Sequence, residues 1–159
     1  MDPNFWGNSA WLYLHTLSFN YPDNPTAKDK KKYLNFFNNL GDMLPCPSCA
    51  KSYNIYIKFL PVNDFLDDIY GITYWLYAIH YLINIKLNKK NISFLNVVKK
   101  YYPQKSTCLP LEFVNINEKC ISDPNKSNQS QFTNFVNISK SKYKNKIMNQ
   151  ISKLNNYQK

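Results

Sequence analysis

Between positions 69 and 87, Ile69, Ile72, Leu76, Ile79, Ile83 and Leu87 recur at intervals of three and four. That period belongs to a helix and no strand can use it, so a long apolar stripe must pack against other helices. Asp68 is placed to cap this helix, and Asn88–Lys89–Lys90–Asn91 ends it. Other segments follow the same rule. Trp11, Leu14, Leu17 and Ser18 share a face of a helix over Phe5–Phe19, with Asn8 or Ser9 as its cap. Thr26 and Asp29 form a capping box ahead of Tyr33, Phe36, Phe37, Leu40, Met43 and Leu44. A third helix follows Cys46 through Tyr53, Ile57 and Leu60, and Pro61 stops it. A short fifth carries Phe94, Val97, Val98 and Tyr101 and ends at Pro103. Strand signals are nearly absent. With only 3 Gly, the chain suits neither a hairpin-rich β fold nor a Gly-rich phosphate loop. The expected fold is all-α, a four-helix bundle plus a short fifth helix, over residues 1–103.

Past Pro103 the character changes. Residues 104–125 read as an irregular segment holding Cys108 and Cys120. Residues 126–159 read as a Lys/Asn-rich, basic C-terminal extension of marginal order. Within it, Phe132, Phe135 and Val136 can anchor one turn. Tyr143, Ile147, Ile151 and Leu154 make one weak amphipathic helix. The formal net charge of the 159 residues is +10, and every basic residue is Lys. A chain without Arg lacks the planar fork that reads bases and phosphates, which argues against nucleic acid as a partner. No signal peptide is visible at Met1–Asn4. The longest apolar stretch is interrupted by Gly71, Thr73, His80, Asn84 and Lys86, so no transmembrane segment is expected. The expectation is a cytoplasmic protein whose cysteines turn over in a reaction.

Leu44-Pro45-Cys46-Pro47-Ser48-Cys49-Ala50 places two cysteines two residues apart where a helix begins. Unpaired N–H groups and the helix dipole stabilise a thiolate there, which favours redox exchange. The same C-x-x-C is also half of a zinc site. A non-enzymatic zinc-binding or interaction module built on Cys46, Cys49, Cys108 and Cys120 is the alternative. Two further pairs stand at i, i+4, Trp11/His15 and His80/Asn84. Polar residues stacked beside an apolar stripe serve either as a buried hydrogen-bonded pair or as a ligand face.

Taken in order, Gly7-x-x-x-Trp11-x-x-x-His15-Thr16-Leu17, the Tyr21–Thr26 turn, the Cys46–Cys49 motif and Trp75-Leu76-x-x-x-His80-x-x-Ile83-Asn84-x-x-Leu87-x-Lys89 resemble the Erv/ALR family of FAD-linked sulfhydryl oxidases. About 100 residues carry the resemblance. It implies a helical bundle cradling FAD as cofactor, and a homodimer. It implies Cys46 and Cys49 as the catalytic pair, with Cys49 proximal to the flavin and Cys46 exchanging with substrate. It also implies Gly7, Trp11, His15, Tyr53, His80, Asn84 and Lys89 as cofactor-binding residues, with no metal. The chemistry agrees. FAD needs aromatic faces, His and Asn hydrogen bonds, and a cation for its diphosphate. Electrons would pass from protein dithiols, or a thioredoxin-like carrier, through the pair to FAD and then O2, yielding hydrogen peroxide.

Four positions depart from the family pattern. Asn8 replaces an Arg, Tyr81 follows His80 where Asn is common, and Asn88 replaces a Gly. Tyr77 stands where many members carry a structural cysteine, and none occurs over Ser93–Val98, so packing must hold the fifth helix. Cys108 and Cys120 fit two roles, an electron shuttle or a local structural disulfide. Family members occur in the mitochondrial intermembrane space and in large DNA viruses. The missing structural disulfide and the Asn/Lys/Tyr/Ile-rich composition favour the viral type, in host cytoplasm or virion, with the intermembrane space as the alternative.

Overall fold

The structure, a computed structural model, describes residues 1–107, 121–122 and 128–158. Helix α1 is Pro3–Phe19, α2 is Ala27–Met43, α3 is Pro47–Phe59, α4 is Ile69–Lys86, α5 is Phe94–Tyr101 and α6 is Gln129–Tyr157. Short 3-10 turns follow α3, at Val62–Phe65, and α5, at Tyr102–Gln104. Ser106–Thr107 (β1) pairs antiparallel with Ile121–Ser122 (β2), Ser106 opposite Ser122. Cys108 and Cys120 lie outside the described residues, so their two expected roles are not addressed by the fold.

Local chemistry explains most boundaries. The Thr26/Asp29 capping box forms as expected, each partner meeting the other's backbone N–H. The Asp68 carboxylate accepts from Gly71 N at 2.9 Å and opens α4. Helix α1 begins earlier than expected. Asp2 is its cap, accepting from Asn4 N at 2.9 Å, and Pro3 occupies the first turn, where a missing N–H costs nothing. Asn8 and Ser9 therefore lie inside the helix.

The bundle packs α1 on α4 and α2 on α3 around Phe37, Trp75, Leu76 and Ile79, all fully buried. Three of its large buried polar side chains bond backbone carbonyls. Trp75 Nε1 donates to Leu60 O at 2.8 Å, Tyr21 Oη to Leu66 O at 2.8 Å, and Tyr53 Oη to Phe37 O at 2.7 Å. Packing does hold α5. The Phe94 ring sits 4.9 Å from Tyr74 and 5.1 Å from Tyr77, whose hydroxyl donates to Ile92 O at 3.1 Å.

The expectation for the extension is corrected. Residues 129–157 form one helix of 29 residues that packs on α3, α4 and α5. It buries Phe132, Phe135, Val136, Ser139, Tyr143, Ile147 and Leu154. Phe135 lies 5.7 Å from Phe19, 4.7 Å from Tyr70 and 5.2 Å from Tyr102. Ser139 interrupts the apolar stripe, but its hydroxyl bonds Phe135 O at 2.9 Å, so the stripe continues across it. At the rim, Lys142 pairs with Asp68 at 2.8 Å and Gln150 donates to Asp64 at 2.8 Å.

Candidate active site

Cys46 and Cys49 form a disulfide with Cα atoms 5.2 Å apart. Local sequence puts them there. Pro45 and Pro47 keep the chain extended up to Cys46, and α3 starts at Pro47. Cys46 is itself the N-cap, its Sγ accepting from Cys49 N at 3.3 Å and lying 3.2 Å from Ser48 Oγ. A sulfur in that position is favoured as thiolate by the amide and by the dipole of α3. It is also nearly covered, at 7% exposure.

Beside the disulfide is a cavity of about 400 Å³ between α1, α2, α3 and α4, lined in part by Gly7, Trp11, Cys49, Tyr53, His80, Asn84 and Lys89. Seven of the nine residues expected at the site therefore meet at one cavity. Cys46 and His15 do not line it. His15 sits one layer behind, its Nε2 3.0 Å from His80 Nδ1, with Tyr101 stacked on its far side at 5.0 Å. On the near side Trp11 stacks on His80 at 3.8 Å and 4°. Tyr53 has little to offer a ligand through its hydroxyl, which is committed to Phe37 O.

Both imidazoles are held neutral. Burial, reinforced by the neighbouring His80 and by Lys100, brings His15 down to about 3. Burial, with Lys100 and Lys89, brings His80 down to about 4. One proton is shared between the facing nitrogens. If His15 donates, His15 Nδ1, which has no partner, is a bare acceptor. If His80 donates, it is a stranded N–H. The first costs less, and it leaves His80 with its remaining N–H as a donor.

The end of α4 fixes the last two residues. Asn88 adopts φ 52, and Asn88 N and Lys89 N bond Ile85 O and Asn84 O at 3.0 and 2.8 Å. This is a Schellman turn, with Asn in the left-handed position more often given to Gly. It holds Asn84 and Lys89 at the cavity mouth. The Asn84 side chain donates to Asn91 Oδ1 at 3.2 Å.

The residues suit a flat, anionic dinucleotide. Trp11 and His80 present ring faces, His80 and Asn84 present polar edges, and Lys89 supplies a cation. At Gly7 a Cβ would meet nothing within 4 Å, so open space lies beside the backbone there. Trp6, also at the cavity, has a buried indole N–H with no partner. FAD has the aromatic rings, carbonyls and phosphates to satisfy this set. Trp6, Ser52 and Lys86 are among the wall residues that had no visible role in the sequence. Trp6 adjoins Gly7, and Lys86 lies two residues past Asn84. Their cue was position alone. The zinc alternative finds no support among the described residues. There, no three His, Cys, Asp or Glu side chains converge.

The model of the Erv1 / Alr family matches residues 8–103. A probable FAD-linked sulfhydryl oxidase of Acanthamoeba polyphaga mimivirus is 31% identical over 100 residues, covering 62% of this chain and 70% of that protein. An FAD-linked sulfhydryl oxidase of African swine fever virus is 31% identical over 99 residues, covering 62% of this chain and 81% of that one. The crystal structure of the FAD-binding domain of Erv1 from Saccharomyces cerevisiae superposes with a TM-score of 0.61 at 27% identity, covering 64% of this chain and 95% of that domain. Bundle, disulfide and cavity thus coincide with a family match over most of the chain's first two thirds, and the protein belongs to the Erv1/Alr family.

Proposed function

We propose that this protein is an FAD-dependent sulfhydryl oxidase that forms disulfide bonds in partner proteins. The observation that carries the reading is the Cys46–Cys49 disulfide at the N-terminus of α3, with Cys49 on the wall of a cavity shaped for an aromatic, anionic ligand. Gly7, Trp11, His80, Asn84 and Lys89 would hold FAD there, with Tyr53 flooring the cavity and His15 orienting His80. FAD bound in the cavity supplies a two-electron acceptor for the dithiol and passes the electrons to O2 as hydrogen peroxide.

The chain's own residues carry the thiol steps. A substrate thiolate attacks Cys46 Sγ, and the Cys46–Cys49 bond breaks with its electron pair going to Cys49 Sγ. A second substrate thiolate then displaces Cys46, which leaves as a thiolate stabilised by Cys49 N–H and the α3 dipole. The substrate departs oxidised and the pair is left as dithiol. The burial of Cys46 requires the Leu44–Cys46 segment to yield as substrate approaches. The substrate is a protein dithiol or a thioredoxin-like carrier.

A homodimer is part of the proposal. Leu12 and Tyr13 on the outer face of α1 are 51% and 58% exposed, and the Tyr13 ring lies 6.4 Å from Phe36 of α2. Such a patch serves a second copy. The compartment proposed is host cytoplasm or virion, with the mitochondrial intermembrane space as the alternative. No described helix is long and apolar enough to cross a membrane.

The first test is the visible spectrum of the purified protein, before and after dithiothreitol in air. A flavin band that bleaches and returns, with oxygen consumed and peroxide formed, is the expected result, and Cys49→Ser abolishes the bleaching by thiols. A colourless protein that takes up no added FAD overturns the reading. Cys108→Ser divides the two roles of the second pair. A shuttle requires loss of turnover on protein thiols with small-thiol oxidation spared, and unchanged turnover on protein thiols removes it.

A further inference from the structure

We infer that Lys86, held by Ser52, is a positioning residue that stabilises the Cys49 thiolate. The inference rests on the oxidase reading above. Ser52 lies one turn beyond Cys49 on α3, so the two share a face. Its hydroxyl donates to Ser48 O at 2.7 Å, which leaves its lone pairs free, and the Lys86 ammonium donates to them across the α3–α4 interface. Ser52 is 8% exposed, so this contact is sheltered. Ser48, Cys49, Ser52 and Lys86 all line the same cavity. Among the described residues Lys86 makes no ion pair with a carboxylate.

The two thiols thus have separate supports. Cys46 sits at the N-cap and uses the helix terminus. Cys49 is inside the first turn and is the leaving group when Cys46 is attacked, so the electron pair of the broken bond arrives there. A fixed cation close by lowers the cost of that charge. The other titratable groups lining the cavity are Tyr53 on α3, His80 on α4 and Lys89 just past α4, while α1 and α2 present no acid or base to it. His80 is neutral, and Lys89 belongs to the turn beyond α4, leaving Lys86 as the cation tied to the α3 turn that bears Cys49.

The test uses the full chain with FAD bound. In a Cys46→Ser background, Cys49 is the single cysteine of tryptic peptide 33–51, and its alkylation by iodoacetamide is followed against pH. Lys86→Met is expected to raise the midpoint by about one unit. Ser52→Ala shifts it in the same direction by less, and Lys86→Arg restores it. In otherwise native protein, Lys86→Met also makes the Cys46–Cys49 disulfide about tenfold less oxidising in a glutathione buffer. Midpoint and redox equilibrium both unchanged in Lys86→Met would overturn the inference, as would an equal shift from Lys89→Met. A wild-type protein with no flavin or no thiol oxidation would instead sink the oxidase reading.

Discussion

His15 and His80 couple the site to pH through simple linkage. In the unfolded chain each imidazole takes up a proton near 6.5, whereas in the fold it does so only near 3 and 4. Between those values the unfolded state binds more protons, so stability is complete above about 6.5 and is lost as pH falls. Thermal melts are expected to drop by at least ~5 °C between about pH 7 and pH 4.5, with a shallower drop in His15→Gln. An unchanged slope in that variant would mean the imidazole is not buried as described. Gly7 makes a separate test. A leucine there enters open space and favours the helix, so Gly7→Leu keeps its melting point within about 2 °C. Its flavin content, read from the absorbance ratio, falls about tenfold because the side chain occupies the cavity. Trp11, His80 and Asn84 were legible because helical spacing stacks Trp11 with His15 and His80 with Asn84, while the family resemblance supplied Gly7, Lys89 and the ligand. Lys86 and Ser52 were not, because a hydrogen bond between two helices has no signature within either one. Nor could spacing show that His15 reaches the cavity only through His80.

At the scale of elements, the start of α4 joins three parts of the chain. Asp68 caps the helix through one oxygen and meets Lys142 of α6 through the other. The ion pair is half exposed and contributes little; the cap is the larger contribution. Asp68→Ala is expected to cost about 1–2 kcal/mol in a urea unfolding curve. Gly71, one turn on, allows α4 to approach its neighbours. A Cβ there would lie 2.5 Å from Phe65 O and 2.9 Å from the Tyr143 ring. Gly71→Ala should therefore lose about 2 kcal/mol despite alanine's better helix propensity, and a neutral result would mean that neither the Val62–Phe65 turn nor α6 is seated against α4 as described. The capping box of α2, the Asp68 cap of α4 and the stripes of α2 to α5 could be read from sequence because their signals are local. Helix α6 could be read only in its second half, from Tyr143, Ile147, Ile151 and Leu154, because its stripe is narrow, Ser139 interrupts it, and Asn and Lys dominate its composition.

Over the whole molecule, α6 closes the bundle. Phe135 touches aromatic rings at the end of α1, on α4 and in the turn after α5, drawing all three together. Removing residues 128–159 is expected to expose Phe19, Tyr70 and Phe94, raise binding of a hydrophobic dye and lower the melting point by ~10 °C or more. A truncated protein that melts like the full chain would show α6 to be dispensable. The outer face of α1 is independent of this. Leu12→Glu with Tyr13→Asp should convert a dimer to a monomer in sedimentation without changing the flavin spectrum.

The position of that clasp in the chain has a bearing on biosynthesis. Of the described elements α6 leaves the ribosome last, while the helices it secures are made well before it. A nascent chain bearing α1 to α5 therefore waits with Phe19, Tyr70 and Phe94 uncovered, and packing of the bundle closes only after Leu154 has emerged. A chain released before α6 is made would present that uncovered surface to proteases and chaperones, so α6 is the element that ends the exposure of the bundle.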